Sequence, residues 1–530
     1  MLRGSVPVCH RLLEKTARTL MAAVGAILLM GDARADGGEG LRLLDAVRIT
    51  IERQATIQSQ EQTVETYRGL LQEQSGAFDT TLESTLGFSH EDVPNLTGVQ
   101  ELTETTTAQV GVSKLFRNGV SIGPNVQLLR TDAPPVTAQD ASTVNFQIDV
   151  PLLKGLGTSA TGALERSARE DYQGSLYTYR HTIAQEVLAT VSAYWDYLSA
   201  VRTLEQRIVS EARAEQHRQD IKKLIEGDEL AASEMEQIAA NLASKTALRF
   251  EAERGLVSAK HTLGLAMGTS FEEIEALPSP ADPFPSIQPR ELEKAFGGLS
   301  RIVSEALAHR ADYLASGIAQ ESARILVEQA KNNLLPQLDL QVGVGYSGLE
   351  RGTEPSRFFS SLANDIPGYS ASVNLTYKWP VQNNTARGIL LQKQAAFRQA
   401  EIQSKELART ISSSVSQDLS DLRNRTLEFI KFDESVGHYR KAVENEKRKY
   451  LLAMSTLSDL LTTEDNLTDA VLGKISAEGA LAKALAQLRF DTGTILALEN
   501  ERISVGMKEV ATVPFVDPSG TRANGNGSRQ

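Results

Sequence analysis

The sequence predicts a membrane β-barrel joined to a long helical body. Two observations carry that prediction: six short segments alternate apolar and polar residues, and two stretches of more than a hundred residues hold no proline. The clearest strand is Gln337 to Tyr346, where Leu338, Leu340, Val342, Val344 and Tyr346 face one way and Gln337, Asp339, Gln341, Gly343 and Gly345 the other. Two-sidedness is common in soluble sheets, but here the apolar faces end in aromatic residues at a spacing that fits a bilayer.

The N-terminal region has the layout of a cleaved secretory signal, expected over residues 1–35. Arg3, Arg11, Lys15 and Arg18 precede an apolar run from Leu20 to Met30, and Ala33-Arg34-Ala35 follows as a small-x-small site. The run is too short to cross a membrane as a helix. The single cysteine, Cys9, lies before it, so neither a disulfide nor an acyl anchor is expected in the mature chain. The segment holds five Lys+Arg and two Asp+Glu, and its removal takes the net charge from −12 to −15. An exported chain that acidic is a poor nucleic-acid binder. No later apolar run could span a membrane as a helix, so any crossing must be made by strands closed into a barrel.

Proline placement divides the rest. None lies between Pro151 and Pro278 or between Pro380 and Pro514, while Pro278, Pro280, Pro283, Pro285 and Pro289 crowd together. That crowding predicts a linker at 278–290 between repeats at 36–277 and 291–500. Each repeat reads as a helix, then barrel strands (about 78–152 and 337–379), then a long helical hairpin broken once. The first helix is expected over Leu41 to Gln74 and its counterpart over Leu292 to Asn333. In the first hairpin Ile183, Val187, Leu188, Val191, Tyr194, Trp195 and Leu198 recur at steps of three and four, a narrow coiled-coil seam. A helix from Ser159 to Glu226 would reach roughly 100 Å.

The strands of the first repeat are expected at Phe78 to Phe88, Ala108 to Phe116, Val120 to Leu128 and Val144 to Leu152. Arg117-Asn118-Gly119 forms a tight turn, with polar connections at 91–106 and 131–143. In the second repeat Tyr369, Ala371, Val373, Leu375, Tyr377 and Trp379 alternate with polar residues over about 33 Å of strand, roughly 25 Å of depth when tilted. Tyr346, Tyr369, Tyr377 and Trp379 are the candidate aromatic girdles. Six strands are too few to enclose a lumen, so several copies must share one barrel. A tail at 501–530 is expected to be disordered.

The residues also resemble a known family. Glu305 through Ala308-His309-Arg310-Ala311-Asp312 to Asn332-Asn333-Leu334-Leu335-Pro336-Gln337-Leu338, the run Pro151-Leu152-Leu153-Lys154-Gly155-Leu156-Gly157, and the turn from Tyr450 to Leu461 look like TolC-type outer membrane efflux proteins. The resemblance spans both repeats. It implies a homotrimer whose protomers share a β-barrel in outer membrane lipid, joined to a long periplasmic α-helical barrel. Its implied partners are a periplasmic adaptor and an inner-membrane pump, proton-driven or ABC type, for multidrug efflux or type I secretion. The best-known members contribute four strands per protomer, so six implies either an eighteen-stranded barrel or a hairpin at Ala108 to Leu128 lying outside the wall.

The resemblance places the periplasmic gate and adaptor contact at the hairpin turns, with Gly227, Asp228, Glu229 and Glu234 in the first and Tyr450, Ser455 and Asp459 in the second. Gly227 is expected as a left-handed cap with Asp228 opening the next helix. Tyr450 falls at the position of a latch tyrosine, Asp459 at that of an aperture acid, and Glu234 is the counterpart of a second latch acid. Ala453, Ser455 and Thr462 depart from the pattern, standing where a turn glycine, a latch arginine and a further acid are usual. From the residues alone, the acids Glu226, Asp228, Glu229, Glu234 and Glu236 would favour cations if copies formed a ring. Enzyme signatures, cofactor motifs and metal-ligand spacings are absent from the sequence. The rival reading is a trimeric surface rod or adhesin with a barrel anchor. Strands interrupting both repeats, rather than one chain end, favour the duct.

Overall fold

The computed structural model describes residues 40–94, 100–133, 136–227, 231–287, 298–352, 360–361, 368–452, 454–499 and 502–515. The expected signal segment lies outside them. In chain order the elements are α1 (Leu43–Arg53), α2 (Ala55–Gly76), β1 (Thr80–Pro94), β2 (Gln100–Leu115), β3 (Ser121–Ala133), β4 (Val136–Pro151), α3 (Ala163–Glu226), α4 (Ser233–Met267) and α5 (Phe271–Glu275). They continue as α6 (Leu299–His309), α7 (Ala311–Asn332), β5 (Gln337–Arg351), β6 (Gly368–Lys378), α8 (Asn384–Leu451), α9 (Leu457–Asp491), β7 (Ala497–Glu499), β8 (Arg502–Ser504) and α10 (Met507–Ala511). The helical hairpins match in length, 64 and 35 residues in the first repeat and 68 and 35 in the second. The chain forms two compact units.

One unit, Glu61–Tyr179 with Asp312–Ala408, holds the six-stranded antiparallel sheet, whose spatial order follows the chain from β1 to β6. Hairpin β2–β3 is therefore a continuous part of the sheet of this chain. The connections expected at 91–106 and 131–143 are largely strand: Glu91 pairs with Thr103, and Thr131 with Gln139. Both faces are polar there, so alternation disappears while the backbone ladder continues. Phe78 and Trp379 fall just outside the strands. Phe78 is buried under the Arg117 guanidinium, 4.8 Å from its ring centroid.

The strand-to-helix corner of this unit explains the glycine run. Gly119 has φ +94°, and a Cβ there would lie 2.3 Å from the Gly155 carbonyl oxygen. Gly157 donates to the Asn118 carbonyl at 2.9 Å, and Gly155 donates to Asn332 Oδ1 at 2.8 Å. Glu165 receives both Arg117 nitrogens at 2.5 and 2.7 Å and the Ser75 hydroxyl at 3.1 Å. Motif residues of the two repeats thus interlock by hydrogen bonds.

The other unit, the residues up to Gln60 with Arg180–Ala311 and from Arg409 onward, carries the duplication in its packing. The single helices expected at 41–74 and 292–333 are each broken by one extended residue, Gln54 (φ −64°, ψ 122°) and Arg310 (φ −65°, ψ 118°). A left-handed glycine approaches each break. Gly268 and Gly493 both have φ +68°, and a Cβ on them would lie 2.9 Å from the Arg53 oxygen and 2.8 Å from the Arg310 nitrogen. Neither break contains proline or glycine itself, which is why periodicity ran through it.

The seam residues Ile183, Val187, Val191, Tyr194 and Trp195 are buried. The proline-rich segment packs against them: Ala281 donates to the Leu41 carbonyl at 2.9 Å, Asp282 accepts from Leu43 N at 2.6 Å, and Phe284 lies 5.8 Å from Trp195. The tail is ordered further than its position suggested. Val510 and Val513 are buried, and Arg489 donates to the Thr512 carbonyl at 2.7 Å. Apolar residues persist to Phe515, and residues 516–530 lie outside the described set.

Candidate functional site

The sheet of the strand-bearing unit is a wall with two chemically different faces. In antiparallel pairing, opposed residues share a face, so the register decides the matter. Leu82 lies opposite Val112, Val110 opposite Val126, Val126 opposite Val144, and Val144 opposite Tyr346. Phe146 lies opposite Val344, Val342 opposite Val373, and Leu340 opposite Leu375. One mainly apolar face, interrupted by Thr80, Ser84 and Lys114, therefore runs across all six strands, and Leu86, Phe88, Val344, Val373 and Leu375 on it are exposed. A soluble sheet would cover such a surface.

The candidate girdles mark the ends of this face. Tyr346 and Tyr369 are register partners with ring centroids 5.7 Å apart, and Tyr377 and Trp379 are exposed at the opposite end of β6. Beyond the tyrosine pair the same face turns polar: Arg130 lies 3.7 Å from buried Asp140, and His90 lies 3.2 Å from Glu104. The second face is built of amides, hydroxyls and glycines. Asp149 accepts from Ser121 at 3.2 Å and Gln341 at 2.9 Å, Asn374 donates to Gln341 at 3.3 Å, and Asn145 donates to Asn125 at 3.4 Å. Pro124 interrupts one edge of β3: its pairing with β2 skips from Asn125 to Ile122, because proline has no N–H to donate.

The hairpin turns belong to the helical unit. The α3–α4 and α8–α9 turns are joined by one apolar cluster in which Ile221, Ile238, Leu457 and Leu461 are buried, with Ile225, Met235 and Tyr450 against them. Tyr450 is thus a packing residue whose hydroxyl is buried with no hydrogen-bond partner among the described residues. Burial, and then the charge of Glu234, push its phenol above the ordinary range. Asp459 closes a capping box at the start of α9, accepting from Thr456 N at 3.2 Å while the Thr456 hydroxyl accepts from Asp459 N at 3.2 Å. The Thr456 hydrogen bonds hold the Asp459 carboxyl below the usual carboxylate range. Ser455 donates to Glu446, which also receives Lys449 at 2.9 Å. The turn therefore brings Glu234, Tyr450, Asp459 and Ser455 into one region. Gly227 ends α3 by donating to the Lys223 carbonyl at 3.0 Å. Positive φ among the described glycines is confined to Gly119, Gly155, Gly157, Gly268, Gly352 and Gly493, so Gly227 does not form the expected left-handed cap. The next helix begins at Ser233 rather than Asp228; Asp228 and Glu229 lie outside the described residues.

Two features here were not legible as a site. The first is Leu451, Leu452 and Met454, 75%, 70% and 72% exposed at the α8–α9 turn. An apolar run in a loop is itself a signal, because loops between helices are ordinarily polar. The second is a polar tie between hairpins: His217 meets Glu464 at 3.0 Å, Lys245 pairs with Asp465, and Arg213 donates to Thr468 at 3.1 Å. Burial pulls the Glu464 carboxyl up, but the His217 hydrogen bond and the charges of His217, Arg213 and Lys447 outweigh it and leave it below its ordinary value. A depressed carboxylate contributes stability above its unfolded pKa and loses it as pH falls through the folded value, so the contribution of Glu464 to this tie is lost in acid.

Tyr450 offers a direct check on the latch assignment. Tyr450→Phe removes an unpartnered buried hydroxyl and should leave thermal stability unchanged or slightly raised. A fall of several degrees in the melting midpoint would show that the hydroxyl is satisfied in the assembled protein.

Among the described residues no helix is long and apolar enough to cross a membrane, and no His, Cys, Asp and Glu cluster could hold a metal ion. Residues 302–494 match the family model described as outer membrane efflux protein. No curated protein matches the chain in sequence. Among solved structures, the Campylobacter jejuni outer membrane channel CmeC is 13% identical with a TM-score of 0.62, covering 85% of each chain. The Vibrio cholerae outer membrane protein VceC is 13% identical with a TM-score of 0.62, over 85% of this chain and 96% of its own. The open-state Neisseria gonorrhoeae channel MtrE is 14% identical with a TM-score of 0.59, over 85% of this chain and 89% of its own. Residues 302–494 therefore carry the pattern of outer membrane efflux proteins, and most of the chain has the fold of outer membrane channels.

Proposed function

We propose that three copies of this chain form a passive exit duct through the outer membrane, opened at the hairpin turns by a periplasmic adaptor and supplied by an inner-membrane pump, proton-driven or ABC type. The observation that carries this reading is the two-faced sheet, mainly apolar across six strands on one side and lined by amides, hydroxyls and glycines on the other. Lipid accepts the first face and water the second. The duct performs no chemistry: the pump supplies the energy and selects the cargo. The system, drug efflux or type I secretion, follows from the pump.

The test is reconstitution. The full-length chain, expressed so that any signal is processed and purified in detergent, should run as a trimer and give stepwise conductance in planar bilayers. A monomer that stays soluble without detergent overturns the reading. In the same records, Asp459→Asn and Glu234→Gln should lower conductance or weaken a cation preference, since a ring of carboxylates concentrates cations at an entrance. Asparagine keeps the acceptor that Asp459 offers to Thr456, so the helix cap survives while the charge is lost. Unchanged currents in both variants would reject the gate assignment.

A further inference from the structure

We infer that the wall of the duct is an eighteen-stranded barrel, six strands from each of three copies, in which β6 of one copy pairs antiparallel with β1 of the next and hairpin β2–β3 is a full part of the wall. The count of copies rests on the three-copy reading above; the six strands, their order and their free edges rest on the sheet itself.

The sheet presents two unpaired edges, and lipid leaves no backbone donor or acceptor unsatisfied. β1 and β6 are those edges, and both faces of each are exposed along almost their whole length. Closure within one copy is excluded, since a six-stranded barrel has no lumen. An even number of antiparallel strands makes β6 run opposite to β1, so a neighbouring copy related by rotation meets this edge in the antiparallel sense that the rest of the sheet uses. The apolar face supplies the same polarity at both edges: Leu82, Leu86 and Phe88 on β1, Val373 and Leu375 on β6.

The stagger agrees with closure. The row that begins at Thr80 passes through Lys114, Ile122, Ile148 and Val342 and reaches β6 at Val373, five residues before the strand ends at Lys378. A flat ribbon with strand ends in line would show no such climb. Tilted strands in a barrel require it, and the climb supplied by each copy is added to that of the next. If the strand ends are level around the barrel, Lys378 comes beside the start of β1, where Glu83 lies on the same polar face. The charges of the two edges are complementary there.

The consequence is a wide exit. Barrel diameter grows with strand number, and sixteen to eighteen strands already enclose an aqueous channel in porins. Two strands per copy beyond the four that the family resemblance implies enlarge the lumen, and the polar face that lines it places Gly111, Gly123, Gly343 and Gly345 across β2, β3 and β5. Small side chains leave that width open.

Cysteine mapping on the full-length chain in outer membranes tests the wall, because the chain's own cysteine, Cys9, lies in the expected signal segment. Glu83→Cys is combined in turn with Asn374→Cys, Thr376→Cys and Lys378→Cys. At least one combination should link copies under oxidation into a series ending at three chains. Thr85→Cys with Gln109→Cys, register partners on β1 and β2, should form a disulfide within the chain. Single cysteines at Val110 and Val126 should be protected from a membrane-impermeant maleimide by lipid. A tenfold or greater gain in labelling at Val110 and Val126, or a failure of the Thr85–Gln109 pair to close, places the hairpin outside the wall and overturns the eighteen-strand barrel while conduction and the duct reading survive. A series ending at two chains, or passing three, overturns the count of copies. Absence of every link between β1 and β6 overturns the edge pairing.

Discussion

Arg310→Ala is expected to be the most destabilising single substitution outside the apolar core, costing about 3–5 kcal/mol and lowering the thermal midpoint of the solubilised protein by several degrees. Arg310 occupies the break between α6 and α7, with its side chain only 10% exposed and its Nη1 donating to Asp491 at 2.5 Å. Asp491 also receives Gln487 at 2.7 Å, and the guanidinium carbon lies 5.3 Å from the Phe490 ring. Asp418, from α8, neighbours Asp491, and one of its carboxyl oxygens is buried with no hydrogen-bond partner among the described residues; burial, and then the Asp491 carboxyl, push it up to about 8. Two acids thus face one cation, and Asp418 keeps a proton to make that tolerable. Removing the guanidinium leaves the pair with no compensating charge in a low-dielectric site. The double variant Arg310→Met with Asp491→Leu should recover most of the loss, because a buried ion pair replaced as a unit by apolar residues is often neutral or stabilising.

The pH dependence follows with a definite sign. A carboxyl whose folded pKa is raised binds more protons in the native than in the unfolded state, so the stability it contributes is present below the ordinary carboxylate range and declines as pH rises toward about 8. Asp421, on the same helix, pushes in the same direction as Asp491, while Arg310 opposes both. Melting curves between pH 5 and pH 9 should therefore show a falling midpoint, and Asp418→Asn should flatten that slope. A slope that persists in Asp418→Asn would assign it to another group.

The parts of this fold that could be read from the chain are those where two solvents meet one backbone. Leu338 through Tyr346 and Tyr369 through Tyr377 alternate because one face takes lipid and the other water, and the structure pairs them residue for residue. Where both faces carry polar residues, at Glu91 with Thr103 or Arg130 with Asp140, the ladder continues with no apolar alternation to announce it. Helix breaks were missed for a different reason. Gln54 and Arg310 are good helix formers held extended by packing against Gly268 and Gly493, a tertiary effect that periodicity cannot report. The candidate gate was located by resemblance rather than by its own chemistry. Asp459 is legible as a capping residue, with Thr456 three positions before it, but the burial of Tyr450 depends on Ile221, Ile238 and Leu457 arriving from three helices. The apolar triplet Leu451, Leu452 and Met454 was visible in the sequence and its meaning was not, since exposure alone distinguishes a contact surface from a core.

That triplet carries the second large effect. On the proposed function, replacing Leu451, Leu452 and Met454 together by serine should abolish coupling to the proposed periplasmic adaptor while leaving the proposed duct assembled. Each of the three is exposed by 70% or more, so none contributes to the packing of the turn in this chain. The buried residues Leu457 and Leu461 hold the turn in their place, and Thr456 and Asp459 cap the helix that follows. Fold and trimer should therefore survive, and the melting midpoint should stay within a degree or two of the parent. Binding should not survive. Apolar side chains displayed together at a turn are the kind of anchor that dominates an interface, at about 2 kcal/mol or more for each true hot spot. Loss of even two such anchors weakens association on the order of a thousandfold. Conductance of the isolated variant should equal that of the parent, and capture of the periplasmic partner by tagged duct from cells should fall to background. Equal capture by the variant would move the contact elsewhere, and a collapse in conductance would show that the triplet seals the turn rather than docking a partner.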